Sequence, residues 1–183
     1  MGGSLTEHEL ASLCNSDRYK NIRNFVETGT YDGASAMLAS QFFDHVFTIE
    51  IHQGLYTASL NRIKNRGITN ITCLLGDSAD LIGNVTERVM DGAVFFLDSH
   101  FSGDGTGWNN QKHVPLYEEL DRILANKGLG PSIFIIDDVR LWTTERDPIW
   151  HEISTEKIIE KFISSGYNVL SYYVKSDRLY VCL

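Results

Sequence analysis

The sequence is poor in the residues that stabilise secreted proteins. Among 183 residues there are three prolines and three cysteines, and the cysteines (Cys14, Cys73 and Cys182) are far apart, without metal-ligand spacing. We interpret them as ordinary reduced residues of an intracellular protein. No apolar run reaches the roughly 18 residues that span a membrane, and the N-terminus lacks a signal-peptide pattern. We therefore expect a soluble, cytoplasmic protein without a membrane partner.

Runs of lysine or arginine are also missing. The chain has 16 basic and 24 acidic residues, which gives a formal charge of −8 at pH 7. Binding to a nucleic-acid backbone requires clustered positive charge, so we do not expect nucleic acid as the main partner. A small molecule, a glycan or a protein is the expected acceptor.

The length and the 43% hydrophobic content predict a single domain over residues 1–183. Residues 1–23 would form an N-terminal tag and a short helix, which Ser4 or Thr6 could cap. The first four residues resemble the remnant of an expression tag. A tag at this position would be expected if the domain had been cut from a longer protein.

The stretch Asn24 to Glu50 has the pattern of a strand, a glycine turn, a helix and a second strand. Both strands end in acids, Glu27 and Glu50. If the strands are parallel, the turn and Glu50 lie at the carboxyl edge of the sheet, where open α/β sheets bind ligands. Gly29 would let the backbone approach a ligand, and Gly33 would let the helix start pack on the strand. A carboxylate at this position can bind a ribose diol, so we favour nucleoside binding over a purely structural turn.

The rest of the chain alternates apolar runs with amphipathic segments. Two alternating runs at the C-terminus, separated by two residues, predict an antiparallel hairpin. We predict further strands at 71–75, 93–97, 133–136, 167–175 and 178–183. We predict helices at 53–66, 116–127 and 153–164, a helix or loop at 80–90, and loops at 101–115 and 139–151.

Two of the apolar runs end in acids. Asp98 follows the run 93–97, and Asp137 and Asp138 follow the run 133–136. Three unpaired carboxylates at one sheet edge would repel each other unless a cation joined them, and Mg²⁺ favours oxygen ligands. We predict a metal site here. The alternative is structural, with Asp98 bonded to the backbone and Asp138 capping a turn.

The segment from Glu27 to Gly33, ETGTYDG, resembles motif I of the class I S-adenosylmethionine-dependent methyltransferases more than the GxGxxG motif of dinucleotide dehydrogenases. The resemblance covers nearly the whole chain from Asn24. It implies an α/β, Rossmann-like fold with a mostly parallel seven-stranded sheet, strand order 3-2-1-4-5-7-6 and a C-terminal antiparallel hairpin. It also implies S-adenosyl-L-methionine as the cofactor.

The cofactor-binding residues that this resemblance implies lie on the first four strand ends. Hydroxyls or N–H groups near the first helix would bind the methionine part. Asp77 would accept from the adenine amine, with a capping role as the alternative. The full set is Glu27, Thr28, Gly29, Thr30, Gly33, Ser35, Glu50, Asp77, Ser78 and Asp98.

The sequence is most similar to metal-dependent small-molecule O-methyltransferases, particularly the branch that acts on sugars. That resemblance implies Asp98, Asp137 and Asp138 as Mg²⁺ ligands and His100 as the general base, in place of the commoner carboxylate. Histidine titrates near neutral pH and is suited to removing an alcohol proton. Trp108 and His113, in the glycine-rich loop that follows, are expected to contact the acceptor, with an ordered lid as the alternative.

The sequence therefore predicts an S-adenosylmethionine-dependent, Mg²⁺-assisted O-methyltransferase that modifies a hydroxyl of a sugar or glycan. One alternative is a metal-independent small-molecule methyltransferase whose acids only shape the pocket. Another is a nucleoside-binding module that has the same fold without catalysis.

Overall fold

A computed structural model of the protein describes residues 5–100, 114–144 and 148–183. These residues form a sheet of seven strands with helices on both faces. The strands are Asn24–Thr28 (β1), His45–Glu50 (β2), Ile71–Leu75 (β3), Ala93–Leu97 (β4), Ile133–Ile136 (β5), Ser171–Lys175 (β6) and Arg178–Cys182 (β7). The helices are Glu7–Cys14 (α1), Ala34–Ala39 (α2), Gln53–Asn65 (α3), Ser78–Thr86 (α4), Leu116–Leu124 (α5), Val139–Thr143 (α6) and Thr155–Ser164 (α7).

The strand order is β3-β2-β1-β4-β5-β7-β6, which confirms the predicted topology. β1 to β5 are parallel, and β7 runs antiparallel to both β5 and β6. Ser176 and Asp177 join β6 to β7 with φ angles of 51° and 65°, as a two-residue hairpin turn of type I′ requires. The order reverses between β1 and β4, and this opens a crevice at the carboxyl edge.

The core has one layer on each face of the sheet. β4 and β5 are buried along their whole length, which explains why their sequences are uninterrupted apolar runs. On the face covered by α4, α5 and α7, Phe134 stacks on Phe95 and meets Phe162 edge-on, each at 4.7 Å between ring centroids. On the opposite face, Phe25 packs against Phe43 at 5.5 Å. The rigid centre of the sheet fixes the strand ends that carry the site.

The N-terminal helix is anchored to this opposite face. Thr6 caps it in a reciprocal capping box with Glu9, which confirms one of the two predicted caps. Leu10 is fully buried, and Arg178 on β7 donates to Glu9 Oε1 at 2.7 Å. Within the described residues, no helix is long and apolar enough to cross a membrane.

The prediction of a loop at 139–151 is wrong. The chain forms α6 and then a short 3₁₀ turn, Pro148–Trp150. A helix of five residues is too short to show helical periodicity in a sequence. The segment is fixed by tertiary contacts, because Asp177 Oδ1 accepts the backbone N–H of Arg140 at 2.8 Å and Trp142 stacks on Trp150 at 5.4 Å. The segment 80–90, predicted as a helix or loop, is helical only as far as Thr86, because α4 spans Ser78–Thr86.

The two turn glycines serve different purposes. Gly29 has a φ of +83°, and a Cβ there would lie 2.5 Å from the carbonyl oxygen of Asp98, so glycine allows the loop to touch the end of β4. Gly33 has a φ of +78°. Its missing side chain faces Ser59 and Ile63 on α3, at 3.4 and 3.9 Å. We expected Gly33 to let the start of the helix pack on the strand. The space that its side chain would fill lies against α3 instead, so this expectation is wrong about the packing partner.

Candidate functional site

Glu50 lies at the end of β2 beside the glycine loop, as predicted. It is buried, and both of its oxygens accept backbone N–H groups: Oε2 from Tyr31 and Oε1 from His52, each at 2.8 Å. The carboxylate thereby fixes the loop that follows β1. Each carboxylate oxygen can accept more than one hydrogen bond, so capacity for a ribose diol remains. The ribose role of Glu50 stays a prediction.

Glu27 lies beneath the same loop and is buried. Thr48 on β2 donates to Glu27 Oε2 at 2.6 Å, and Thr30 lies 2.6 Å from the same threonine hydroxyl. The pKa of Glu27 is raised to about 8, mainly by burial; the Thr48 hydrogen bond opposes the rise, and the charges of Glu50 and Asp32 contribute to it. Glu27 therefore carries a proton at neutral pH and supports the loop from below.

The other predicted cofactor residues are also near the carboxyl edge, and several have protein partners. The Ser35 hydroxyl accepts the N–H of Leu5 at 3.3 Å, which ties the N-terminal segment to the start of α2. Asp77 caps α4 by accepting from Ala79 N at 2.9 Å, as the alternative interpretation expected. Thr28 and Ser78 are buried, at the end of β1 and the start of α4 respectively. Their cofactor roles stay predictions.

The acids after β4 and β5 meet, but not as the predicted trio. Asp98, His100 and Asp138 form a group whose possible metal-ligand atoms all lie within 4.8 Å of one another. His100 Nε2 is 3.0 Å from Asp138 Oδ2, and its Nδ1 is 3.7 Å from Asp98 Oδ1. Asp137 instead pairs with Arg178 Nε at 3.2 Å. The structure thus places His100 where the prediction had Asp137.

Backbone geometry explains the separation of the two adjacent aspartates. Side chains alternate between the faces of a strand, and Asp138 has a left-handed backbone, with φ +65°, as it starts α6. A non-glycine residue with this backbone is uncommon, and aspartate is among the residues that adopt it most readily. Arg140 contacts the Asp138 carboxylate and also Asp177 in the hairpin turn, which holds Asp138 in place.

The three acids differ in protonation. Burial raises the pKa of Asp98 well above its usual value, and the charges of Asp137 and Asp138 raise it further. Burial would also raise the pKa of Asp138, but hydrogen bonds from His100 and Arg140 outweigh it and lower that pKa. Burial raises the pKa of Asp137 to about 6, and Arg178 opposes the rise. At neutral pH, Asp138 is therefore the strongly ionised acid beside His100.

A small pocket opens beside this group. Its lining includes both polar residues and the apolar residues Leu97, Val114, Leu116, Ile136 and Trp150. Trp150 meets the His100 ring edge-on at 5.2 Å. The polar residues of the lining are Asp98, Ser99, His100, Glu119 and Asp137.

Glu119 and Arg178 are residues of the site whose roles the sequence did not reveal. Glu119 offered a signal, because it lies on the buried face of α5 between Leu116 and Ile123, where an apolar residue is expected. Arg178 offered none, since it lies 41 residues from Asp137 in an ordinary strand. Trp108 and His113, the predicted acceptor contacts, lie outside the described residues, so their role stays a prediction.

Comparisons with known proteins identify the fold. No known family model matches the chain. A protein-L-isoaspartate O-methyltransferase from Thermosipho melanesiensis is 34% identical over 76 residues, which are 40% of this chain and 38% of that relative. The chain thus matches less than half the length of that protein.

Solved structures resemble the chain over nearly its whole length. The methyltransferase PaMTH1 from Podospora anserina, bound to S-adenosylhomocysteine, has a TM-score of 0.68 and 15% identity, covering 97% of this chain and 78% of that one. TomG from Streptomyces achromogenes, an O-methyltransferase of tomaymycin synthesis bound to S-adenosylmethionine, has a TM-score of 0.62 and 16% identity, covering 98% and 81%. At such identities the likeness shows the fold.

Proposed function

We propose that this chain, which has the class I methyltransferase fold, transfers a methyl group from S-adenosylmethionine to an acceptor oxygen. The observation that carries the proposal is the pairing of two features across the β1–β4 crevice. On one side, the glycine loop bonded to Glu50 has the arrangement expected of a nucleoside site. On the other, His100 lies between two aspartates at the pocket. The matched segment of an O-methyltransferase supports the same reaction class.

The residues of the first side would hold the cofactor. Glu50 would accept the ribose hydroxyls, and the hydroxyls and N–H groups around the start of α2 would bind the methionine part of the ligand. Since Tyr31 in the glycine loop already donates its N–H to Glu50, little ordering of the loop would be required on binding. The bound cofactor supplies an electrophilic methyl group on a sulfonium.

The residues of the second side would activate the acceptor. Asp138 accepts from Nε2–H of His100, which leaves the Nδ1 lone pair to accept a proton and stabilises the imidazolium. In the proposed step the acceptor oxygen forms a bond to the methyl carbon and the carbon–sulfur bond breaks, with its electron pair going to sulfur. The acceptor proton goes to His100 Nδ1. The products are the methyl ether and S-adenosylhomocysteine.

Mg²⁺ assistance is a separate part of the proposal. Asp98 and Asp138 offer oxygens to a cation, whereas the third member of the group is an imidazole, which suits Mn²⁺, Fe²⁺ or Zn²⁺ better than Mg²⁺. Asp137 is engaged by Arg178. When bound, a divalent ion would lower the pKa of the acceptor hydroxyl. Activity that survives excess EDTA unchanged would exclude this part, and restoration by Mg²⁺ or Mn²⁺ after EDTA would support it.

The acceptor we propose is a sugar or glycan hydroxyl. The pocket lining combines apolar residues, Trp150 among them, with carboxyl groups, and such a combination suits a polyol that has one apolar face. The isoaspartate methyltransferase segment favours a second candidate, a protein carboxylate. A carboxylate acceptor is already ionised at neutral pH and needs no base. Dependence on His100 therefore distinguishes the two acceptors.

Two measurements test the proposal. Calorimetric titration with S-adenosylhomocysteine tests the cofactor site, and absence of binding would contradict it. A methyl-transfer screen with nucleotide sugars, free glycosides, phenols and an isoaspartyl peptide, read by product mass, tests the acceptor. Binding without transfer to any acceptor would favour the non-catalytic module. Transfer only to phenols or only to the peptide would contradict the sugar preference.

A further inference from the structure

Glu119 is an acid in a position that normally holds an apolar side chain. It is 1% exposed on α5, among the buried residues Leu116, Leu120 and Ile123. A buried carboxyl group costs stability unless it is well hydrogen-bonded. An apolar side chain would fill the same place at lower cost, so packing alone does not explain the acid.

The partners of Glu119 come from two different strand ends. Ser78, the first residue of α4 after β3, donates to Glu119 Oε1. Ser99, between Asp98 and His100 after β4, donates to the same oxygen. The two serine hydroxyls also lie 3.1 Å from each other. Both serine protons are donated to that one oxygen, so two hydrogen bonds converge on it, and we call these three side chains the serine–glutamate triangle.

The serine–glutamate triangle spans the two parts of the proposed site. Ser78 belongs to the segment after β3, where the resemblance places the adenine ring. Ser99 has Asp98 and His100 as its direct neighbours in the chain, and Glu119 lines the same pocket as both. Because both hydroxyls bind one oxygen, displacement of either segment would strain the bond to the other.

We propose that Glu119 is a positioning residue that fixes the catalytic segment 98–100 relative to the nucleoside end of the cofactor. The inference rests on the proposed function. The carboxyl group acts through Ser99 and does not contact the reacting atoms. Its loss shifts His100 relative to the methyl donor, and small displacements of this kind slow reactions that depend on alignment.

The hydrogen bonds from the two serines to Glu119 do not depend on its protonation state. Burial raises the pKa of Glu119 to about 7, and the hydroxyls of Ser78 and Ser99 oppose the rise by donating to the carboxylate. Either protonation state of the side chain has an oxygen that can accept both serines. A glutamine, which has one carbonyl oxygen of the same reach, should therefore preserve the triangle.

The test compares Glu119→Leu, Glu119→Gln and Ser99→Ala with the unmodified chain. We expect Glu119→Leu to lower kcat by about 10- to 100-fold, with less than about a threefold change in S-adenosylhomocysteine affinity. Glu119→Gln should restore most of kcat. Ser99→Ala should lower kcat in the unmodified chain and have little further effect in Glu119→Leu, because coupled residues are not additive. The matched control is Glu160→Leu, the same change at an exposed position of α7.

The outcomes separate this inference from the proposed function. If the unmodified chain binds no S-adenosylhomocysteine, the proposed function fails, and the role of Glu119 fails with it. If the unmodified chain is active and Glu119→Leu or Ser99→Ala retains its kcat, only the role of Glu119 is overturned. If Glu119→Leu does not fold, Ser99→Ala still decides, since an unchanged kcat in that variant overturns the inference. Equal kcat losses in Glu119→Gln and Glu119→Leu would also overturn it.

Discussion

The acids at the carboxyl edge have different partners in the two halves of the site. In the β1–β2 half, Glu27 and Glu50 accept hydrogen bonds from uncharged donors, the Thr48 hydroxyl and two backbone N–H groups. In the β4–β5 half, the acids are paired with nitrogen groups of basic side chains. Asp137 is paired with Arg178, and Asp138 contacts both His100 and Arg140.

This difference matches the chemistry proposed for each half. Uncharged donors hold a carboxyl group in place whether or not it is ionised, and in both states the group has oxygens that can accept from ligand hydroxyls. Cationic partners lower the pKa of an acid, as they do for Asp138, and an ionised acid can stabilise a protonated histidine. The first half is therefore suited to binding, and the second half to handling protons. Four substitutions test this division.

His100→Ala should have the largest effect. We expect the methyl-transfer rate to fall by roughly 10²- to 10⁴-fold with S-adenosylhomocysteine affinity nearly unchanged, because the variant loses the base but not the binding half. Raising the pH should restore part of the rate as the acceptor ionises unaided. His45→Ala, at an exposed position at the start of β2, is the control. Near-normal turnover in His100→Ala would mean that water or another group, and not His100, takes the proton of the methyl acceptor.

Gly29→Ala tests the contact between the halves, since its Cβ would meet the Asp98 carbonyl oxygen. Gly67→Ala is a matched control, because Gly67 has a similar positive φ of +67° and, among the described residues, no atom lies within 4 Å of where its Cβ would stand. The control should lose about 1 to 2 kcal/mol of unfolding free energy from backbone strain alone. Gly29→Ala should lose about 1 to 3 kcal/mol more from the clash. Unfolding in urea measures both losses. If Gly29→Ala and Gly67→Ala lost the same free energy of unfolding, the contact between Gly29 and the Asp98 carbonyl would not be tight.

Glu50→Ala should weaken cofactor binding while leaving the β4–β5 half intact. The expected loss is about 1.5 to 3 kcal/mol, or about 10- to 150-fold in affinity, since a charged acceptor is removed. Calorimetry with S-adenosylhomocysteine measures it. Asp44→Ala, an exposed acid just before β2, should bind as the unmodified chain does. If a folded Glu50→Ala variant bound S-adenosylhomocysteine with unchanged affinity, the end of β2 would not belong to the cofactor site.

Glu27→Gln tests, through the pH dependence of stability, whether Glu27 is uncharged in the folded protein. The pKa of Glu27 rises from an ordinary 4.5 to about 8 in the folded protein. The proton is therefore held more tightly in the folded state, and the associated stability is complete below about pH 4.5 and is lost as the pH rises through about 8. In the unmodified protein, Glu27 should lower the free energy of unfolding by up to about 1.4 kcal/mol per pH unit between these two values. Glutamine does not titrate, so Glu27→Gln should lack this dependence on pH. Urea unfolding of both proteins across this range measures it, and parallel curves would contradict the raised pKa.

Local patterns in the sequence were sufficient to predict most of the fold. Continuous apolar runs marked β4 and β5 because both faces of these strands are buried. Glycines at 29 and 33 marked the turn because its backbone requires positive φ angles. The strand order followed from the motif resemblance. The same patterns placed Glu50, Asp98 and His100 at one edge, since parallel strands end together.

The sequence patterns could not predict which side chains form pairs when these lie far apart in the chain. Asp137 and Asp138 are adjacent and chemically identical in the sequence, yet one meets Arg178 on β7 and the other meets His100. The left-handed backbone at Asp138, which depends on α6 and the β6–β7 turn, separates them.

The sequence by itself determined the sheet, the glycine loop and the residues at the strand ends, because these depend on periodicity and on short-range backbone geometry. Only the tertiary structure decided which acids pair with a basic side chain and which accept from a hydroxyl. Glu119 lies 41 residues from Ser78 and 20 from Ser99, and packing of α5 against α4 brings the three together. Contacts of this kind arise from the packing of whole elements, and no local pattern of residues encodes them.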